Sequence, residues 1–503
     1  MAPSTLRKRP AAAKGSQAKR VCADDWSLGK GSFADMFVKH IFKVLQGMGK
    51  DKTLGKNVPK PVRLATACSG SGVAEMAHRS LMQHLGHPTL LDYSCENGAR
   101  KQRFIVSVVH PFTSTSPSGS GGGSPCCFDD ICYLAQGLAS CCVHSGRCEV
   151  KSGSHIFVTG FSCKDFSKLS NKVLATARAN ILREVVGSTG TTFAGVVGVA
   201  STRRPRIILL ENVDNIIKSG ADETLWDCFA SLSYFGEVRV LNSMEFGIPQ
   251  NRSRAFFLLL DANFFGLDQT ATEGLAAQIL KDIDLFQMKT LKLGSFLLNS
   301  SNLYLQGELQ KRIDHPPSEA GSADVEWPRF HRGFLERKGL TRALVVPPPA
   351  VRTSRWFSTL NPRAQEALGF GLRHGSEKNL NLCSIDIGPS INMITFGKEG
   401  MLPTVVPRNI TWLVSQNERW NNRLMLGYEA LALQGFPVQD ILHQKEFEPS
   451  DNLLNDLGGN AFCLPIVMAI FAAIYLNVDT SKFDLTSAAT AASTSDLLNL
   501  LSD

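Results

Sequence analysis

The chain has 503 residues, too long for one ordinary domain and long enough for two or three. Hydrophobic residues make up 43% and charged residues 19%, a globular balance that excludes wholesale disorder. Lys and Arg number 53 against 45 Asp and Glu, a formal charge of +8 that favours a polyanionic partner without naming one.

The first residues carry basic clusters, Lys8-Arg9-Pro10 and Lys19-Arg20, with no acid before Asp24. This spacing has the form of a bipartite nuclear import signal, so residues 1–27 are expected to be a basic tail read by an import receptor, and the chain is expected in the nucleus. Its start lacks an apolar core and is not expected to be secretory. Ser32–Gly47 has apolar residues at helical spacing. Strands are expected at Pro61–Ala67, Leu90–Cys95, His155–Thr159, Arg206–Leu210, Glu237–Met244 and Ala255–Leu260, with a helix at Val73–Leu85. Alternation of strands and helices predicts an α/β fold, a doubly wound, mostly parallel sheet. Thr113–Ser124 is rich in Ser, Gly, Thr and Pro and opens an expected surface insertion over 113–150. From Asp261 onward Pro and Gly punctuate the chain, three consecutive prolines falling at Pro347–Pro349, and a second, smaller, irregular domain is expected over 262–420. Helical periodicity returns at Tyr428–Leu433 and Ala461–Tyr475, so 421–477 is read as a return to the first domain (28–261). The run Ala461–Leu476 contains Pro465 and falls short of the ~20 residues a membrane helix needs; a buried core helix is expected, and no membrane. Residues 478–503 read as a loose tail with a short helix at Leu497–Leu501.

Several segments could carry chemistry. Cys68-Ser69-Gly70-Ser71-Gly72 joins a predicted strand to a predicted helix, where glycines admit a close ligand and free N–H groups face it; a ligand-free turn has the same pattern. Glu96 ends the next strand, and Asp130-Ile131 follows the third predicted element. Together these describe a crevice at the carboxyl edge of a sheet. Cys163, after Gly160, is a thiol on a loop at a strand end, flanked by Lys164. Glu211-Asn212-Val213 ends the most apolar strand, where a desolvated carboxyl has a raised pKa. Arg252 and Arg254, at i and i+2 after Gln250, are expected to point the same way in extended chain. Cys126, Cys127, Cys132, Cys141, Cys142 and Cys148 crowd around His144; zinc and a thiol-rich surface loop are both open, but no C-x-x-C pair is present and no metal is expected. The thirteen cysteines, odd in number and unevenly spaced, are expected to be mostly free thiols in a reducing compartment.

In order, Cys68–Gly72, Glu96, Asp130-Ile131, Gly160-Phe161-Ser162-Cys163-Lys164-Asp165-Phe166-Ser167, Glu211-Asn212-Val213, Gln250-x-Arg252-x-Arg254, Ala432–Pro437 and Gly459-Asn460-Ala461 resemble the cytosine-5 DNA methyltransferase family. The resemblance covers about Val62–Leu260 and Asn421–Tyr475, and the family keeps its target-recognition domain between them. It implies a Rossmann-like methyltransferase fold, DNA as partner and S-adenosylmethionine as methyl donor. Cys163 would add to C6 of a flipped-out cytosine, Glu211 would contact N3 and the amine, and Arg254 with Arg252 would hold O2 and the loop. Glu96 would take the donor's ribose and Asp130 its adenine, near the Cys68–Gly72 turn, Ile131, Asn460 and Ala461. Ser162, Lys164, Ser167, Asn212 and Gln250 would lie toward DNA. The family's nucleophile loop reads Pro-Cys-Gln; here it is Ser162-Cys163-Lys164, and Ala461 stands for a serine. Two alternatives stay open: a tRNA cytosine-5 methyltransferase, whose Cys-Phe-Thr run is absent, and a catalytically degenerate DNA-binding relative. Sequence context of the target and oligomeric state are not specified.

Overall fold

A computed structural model describes residues 32–51, 53–54, 58, 61–113, 124–166, 180–315, 326–407, 410–414, 422–438, 447–478 and 483. The basic N-terminal pairs, residues 114–123, Ser167 and the expected helix at Leu497–Leu501 lie outside them.

The first helix, α1 (Phe33–Gly47), starts at Ser32, whose hydroxyl accepts the Asp35 N–H at 3.0 Å. The large sheet is built from β1 (Val62–Ala67), β2 (Thr89–Cys95), β3 (Cys126–Phe128), β4 (Leu138–Cys141), β5 (Gly146–Glu149), β6 (Ile156–Thr159), β7 (Ile207–Val213), β8 (Tyr234–Asn242) and β9 (Ser253–Asp261). Its order is β5-β4-β3-β2-β1-β6-β7-β9-β8. The five strands from β3 to β7 in that order run parallel, and antiparallel strands extend both edges. The chain winds outward from β1 through β2 to β3 and then returns to β6 and β7 on the other side. The turns after β1 and β6 therefore leave the same crevice, the topological switch point where such sheets bind ligands.

Alternation builds the two faces of the core. Leu64, Ile156, Val158 and Leu209 join one buried cluster, while Ala65, Phe157, Ile208 and Leu210 join the other. Helices cover both faces: α2 (Val73–Leu85), the short α3 (Ile131–Leu134), α4 (Gly187–Arg203) and α5 (Gln269–Asp282). The last helix, α11 (Leu464–Asn477), is apolar on every side and buried from Leu464 to Tyr475, packing on α1, α2 and α5. Among the described residues no single helix is long and apolar enough to cross a membrane.

Two expectations about organisation are corrected. Residues 124–150 are not a surface insertion, because β3, β4 and β5 extend the large sheet. Residues 262–420 are not wholly a second body, nor irregular. Helix α5 buries Thr272, Ala276, Ile279 and Leu280 and packs on β8 and α11, so the first body runs past 262. The second body contains α6 (Leu303–Asp314), α7 (Trp327–Arg337) and α8 (Pro362–Glu377). It also holds an antiparallel sheet ordered β11-β10-β12-β13, from β10 (Leu382–Asp386), β11 (Thr395–Lys398), β12 (Thr411–Leu413) and β13 (Arg423–Leu424). Strands of two to five residues are too short to print a period on the sequence. The chain returns through α9 (Gly427–Ala432) and α10 (Asp451–Asn460).

Candidate active site at the sheet's carboxyl edge

The turn after β1 bends sharply. Cys68, Gly70 and Gly72 all take positive φ, at 50°, 55° and 70°. At Gly72 a Cβ would lie 2.6 Å from Val109 Cγ2, so glycine is required both for the backbone and for the space. The turn opens the thirteen-residue helix α2. Ser69 ties it to the next strand, its N–H donating to the Cys95 carbonyl at 3.1 Å. Glu96, at the end of β2, is nearly buried and held from both sides. The Gly70 N–H donates to its Oε2 at 2.9 Å and the Gly98 N–H to its Oε1 at 3.0 Å. Each carboxylate oxygen keeps a further acceptor site. Asp130 caps α3, accepting from the Cys132 N–H at 2.9 Å. Burial, then the charge of Glu96, with a smaller push from Asp130, holds the Cys68 thiol up at about 12. Turn, Glu96 and Asp130 thus converge on one crevice. The Ser71 hydroxyl is buried with no partner among the described residues. A cavity of about 690 Å³ is walled by Gly98, Lys101, Met425 and Asp456.

These residues fit an adenosyl ligand: a pinned carboxylate for a diol, a second carboxylate one strand away, and a vacant hydroxyl in the glycine turn. Ile131 is buried against α4, where a Cβ at Gly195 would meet its Cγ2 at 2.9 Å, so it shapes the wall from behind. Asn460 is exposed and spends its amide on Asp456 of its own helix. The Ala461 carbonyl is taken by Arg252.

On the other side of the switch point lies half-buried Cys163. Its loop is fastened to the start of α4. The Ser162 N–H donates to Thr192 Oγ1 at 3.1 Å, the Ser162 and Ser188 hydroxyls lie 3.1 Å apart, and the Asp165 N–H donates to Thr189 Oγ1 at 3.3 Å. A proline at 162 has no N–H to give. In this chain hydrogen bonds to α4 restrain the loop instead. Lys164 is exposed.

Glu211 and Arg254 face each other from adjacent strands β7 and β9, with Arg254 Nε 3.1 Å from Glu211 Oε1. No donor among the described residues reaches Oε2. Burial pushes the Glu211 carboxyl above its usual range, against the pull of Arg254 and Arg252. Burial pushes the Cys163 thiol up, the charge of Glu211 adds to this, and the two arginines oppose it. Thiol, carboxyl and guanidinium therefore form one electrostatic unit.

Three expectations are corrected here. Arg252 does not share an acceptor with Arg254. It is buried, donating to the carbonyls of Val405 (2.9 Å), Gly459 (3.3 Å) and Ala461 (2.7 Å), and burial lowers it to about 9. Strict extended alternation fails because Arg252 precedes β9. Gln250 does not lie toward DNA; its buried amide donates to the Leu433 carbonyl at 3.0 Å and accepts from the Val405 N–H at 2.9 Å. Asn212 is buried and donates to the Phe161 carbonyl at 3.2 Å, which positions the thiol loop.

Phe462 is a site residue that the sequence analysis does not identify. Its ring occupies the space over Gly160, where a Cβ would come within 2.5 Å of Cε1. The nearest signal was its place directly after Asn460-Ala461. Elsewhere, Cys126, Cys141, His144 and Cys148 gather into a four-ligand cluster.

Residues 149–476, more than half of the chain, match the profile of the family described as C-5 cytosine-specific DNA methylase. A DNA (cytosine-5-)-methyltransferase DMT5 of Cryptococcus neoformans var. grubii is 24% identical over 82% of this chain and 17% of its own length. A DNA (cytosine-5-)-methyltransferase DMT5 of Verticillium dahliae is 22% identical over 82% of this chain and 19% of its own. The type II methyltransferase M.NgoBV of Neisseria gonorrhoeae is 29% identical over 37% of this chain and 41% of its own. The chain thus spans less than a fifth of the two fungal relatives.

Proposed function

Since the chain belongs to the C-5 cytosine-specific DNA methylase family, we propose that it transfers a methyl group to C5 of cytosine in duplex DNA. The observation that carries this is Cys163 held on a fastened loop beside the Glu211–Arg254 pair, across the switch point from the Glu96 crevice. S-adenosylmethionine, when bound in that crevice, supplies an electrophilic methyl group; Glu96, Asp130 and the Ser71 hydroxyl are the residues that would hold it.

The chain's own residues prepare the cytosine. C5 is a poor nucleophile until a nucleophile adds at C6. Cys163 forms that S–C6 bond as the thiolate, and the ring's new electron density spreads toward N3 and the C5 carbon. Glu211, whose carboxyl burial pushes above its usual range, is placed to donate a proton to N3 with its free oxygen and to accept from the amine. Arg254 holds the carboxyl in place and favours the thiolate by its charge. After methyl transfer a solvent water takes the C5 proton, the C–H electron pair re-forms the C5=C6 bond, the Cys163 sulfur leaves as thiolate and N3 returns its proton to Glu211. A paired base cannot reach a thiol at the sheet edge, so the cytosine must leave the stack.

A duplex containing 5-fluorocytosine in varied contexts tests this. Fluorine cannot leave as the proton does, so the enzyme stops as a covalent adduct. An adduct that needs both S-adenosylmethionine and Cys163, and is absent in Cys163→Ala, is expected. Adduct formation on RNA alone would replace the substrate. Donor binding without any adduct would reduce the chain to a binding protein.

A further inference from the structure

We propose that Cys126, Cys141, His144 and Cys148 form a structural zinc site at the edge of the large sheet, distinct from the catalytic crevice. The four ligand atoms lie within 4.8 Å of one another. His144 Nδ1 stands 3.5 Å from each of the three sulfurs. Zn–S bonds of about 2.3 Å and a Zn–N bond of about 2.0 Å at tetrahedral angles place nitrogen and sulfur about 3.5 Å apart. Three equal distances of that size are what one ion at the centre demands. A disulfide would instead draw two sulfurs to about 2 Å and leave the third outside.

Strand register explains how the cluster arises. Phe128 pairs with Cys141 across β3 and β4, and Cys141 pairs with Gly146 across β4 and β5. Cys126 lies two residues before Phe128, and Cys148 two residues after Gly146. The period of two therefore puts all three thiols on one face of three neighbouring strands. Cys127, one residue out of phase, is buried toward the opposite face. The turn between β4 and β5 contains Ser145 at φ 52°, and it carries His144 back over the thiols. The sequence signal is Cys-x14-Cys-x2-His-x3-Cys. A search for paired C-x-x-C spacing misses it, since one ligand comes from β3 and the nearest pair is Cys-x-x-His. The proposal runs against the expectation of no metal.

Four protein ligands close the coordination shell, so the site has no open position for catalysis. Three thiols each lose a proton on binding and the imidazole stays neutral, leaving one net negative charge at the sheet edge. The site joins the β4–β5 hairpin to β3, the strand that leads directly into Asp130. Its role is to fix the outer wall of the crevice.

The test uses the 503-residue chain, purified reduced and without chelator. Metal analysis is expected to return about one zinc per chain. Cobalt exchanged into the site should give intense visible d–d bands with a near-ultraviolet thiolate charge-transfer band, the signature of tetrahedral sulfur ligation. Cys148→Ser and His144→Ala should fall well below one zinc per chain, while Cys142→Ser, an exposed thiol outside the cluster, should keep it. If the ligand variants do not fold, zinc content and the cobalt spectrum of the unaltered chain decide alone. Absence of zinc with no cobalt spectrum overturns the proposal. So does a native mass two hydrogens short, with the missing pair mapped to these cysteines.

Discussion

Two glutamate–arginine pairs of this molecule invite comparison, one where the two bodies meet and one at the carboxyl edge of the sheet. Arg423 and Glu429 are both buried and joined twice, Nη2 to Oε1 at 2.6 Å and Nη1 to Oε2 at 2.8 Å. The pair is also closed by backbone. Glu429 accepts the N–H groups of Leu298 (2.7 Å) and Leu426 (2.9 Å), and Arg423 donates to the carbonyls of Leu298 (3.0 Å) and Leu424 (2.8 Å). Glu211 and Arg254 meet only through Nε, and one carboxylate oxygen has no donor among the described residues. The same two residue types thus serve opposite ends. A pair whose carboxylate oxygens are both engaged is a structural joint between β13, α9 and the segment before α6. An unsaturated pair keeps an oxygen and a displaced pKa available for a substrate. Arg252, held through both terminal nitrogens by three carbonyls, belongs with the first kind although its neighbour Arg254 belongs with the second.

Removing one partner from the Arg423–Glu429 joint should have the largest effect. Arg423→Met leaves a buried, uncompensated carboxylate and should cost about 3–5 kcal/mol of stability. Urea unfolding measures this, and a loss under about 1 kcal/mol would mean the joint is not structural. At the unsaturated pair the damage should fall on rate instead. Glu211→Gln should slow single-turnover methyl transfer by about 10²–10⁴-fold, with an unfolding midpoint closer to that of the unaltered chain than Arg423→Met shows. A rate within a few-fold of the unaltered chain would remove Glu211 from the chemistry.

The smallest effect is one of pH. Arg254 favours the Cys163 thiolate and Glu211 opposes it. Arg254→Met should therefore move the half-point of Cys163 alkylation by iodoacetamide to higher pH, and Glu211→Gln should move it lower. Peptide mass mapping isolates Cys163 from the other thiols. Midpoints that stay put, or move together, would break the proposed electrostatic unit.

Much of the fold was legible from periodicity. Val73–Leu85 is a helix over that span, and the predicted strand at Pro61–Ala67 differs from the observed one by a single residue. Long buried elements write a strong apolar period into the chain. The short strands of the second body and the β3–β5 edge do not, and both regions were misread for that reason. In the site, Cys68–Gly72, Glu96, Asp130, Cys163, Glu211 and Arg254 stand where strand ends placed them. Gln250, Asn212 and Arg252 turn to backbone groups instead; a polar residue beside a reactive one looks the same in sequence whether it faces a ligand or a backbone carbonyl.

What the sequence determined by itself was local: which segments form strands and helices, which strand ends carry chemistry, and through ordered motifs the family. Pairing across distance belongs to the tertiary structure. Leu433 and Val405 became the partners of Gln250, Phe462 came to lie over Gly160, and three thiols from separate strands met a turn imidazole. A side chain's hydrogen-bond partner or metal is set by strand register and by the crossing of distant segments. Neither is encoded within the span of residues over which a periodic pattern can be read.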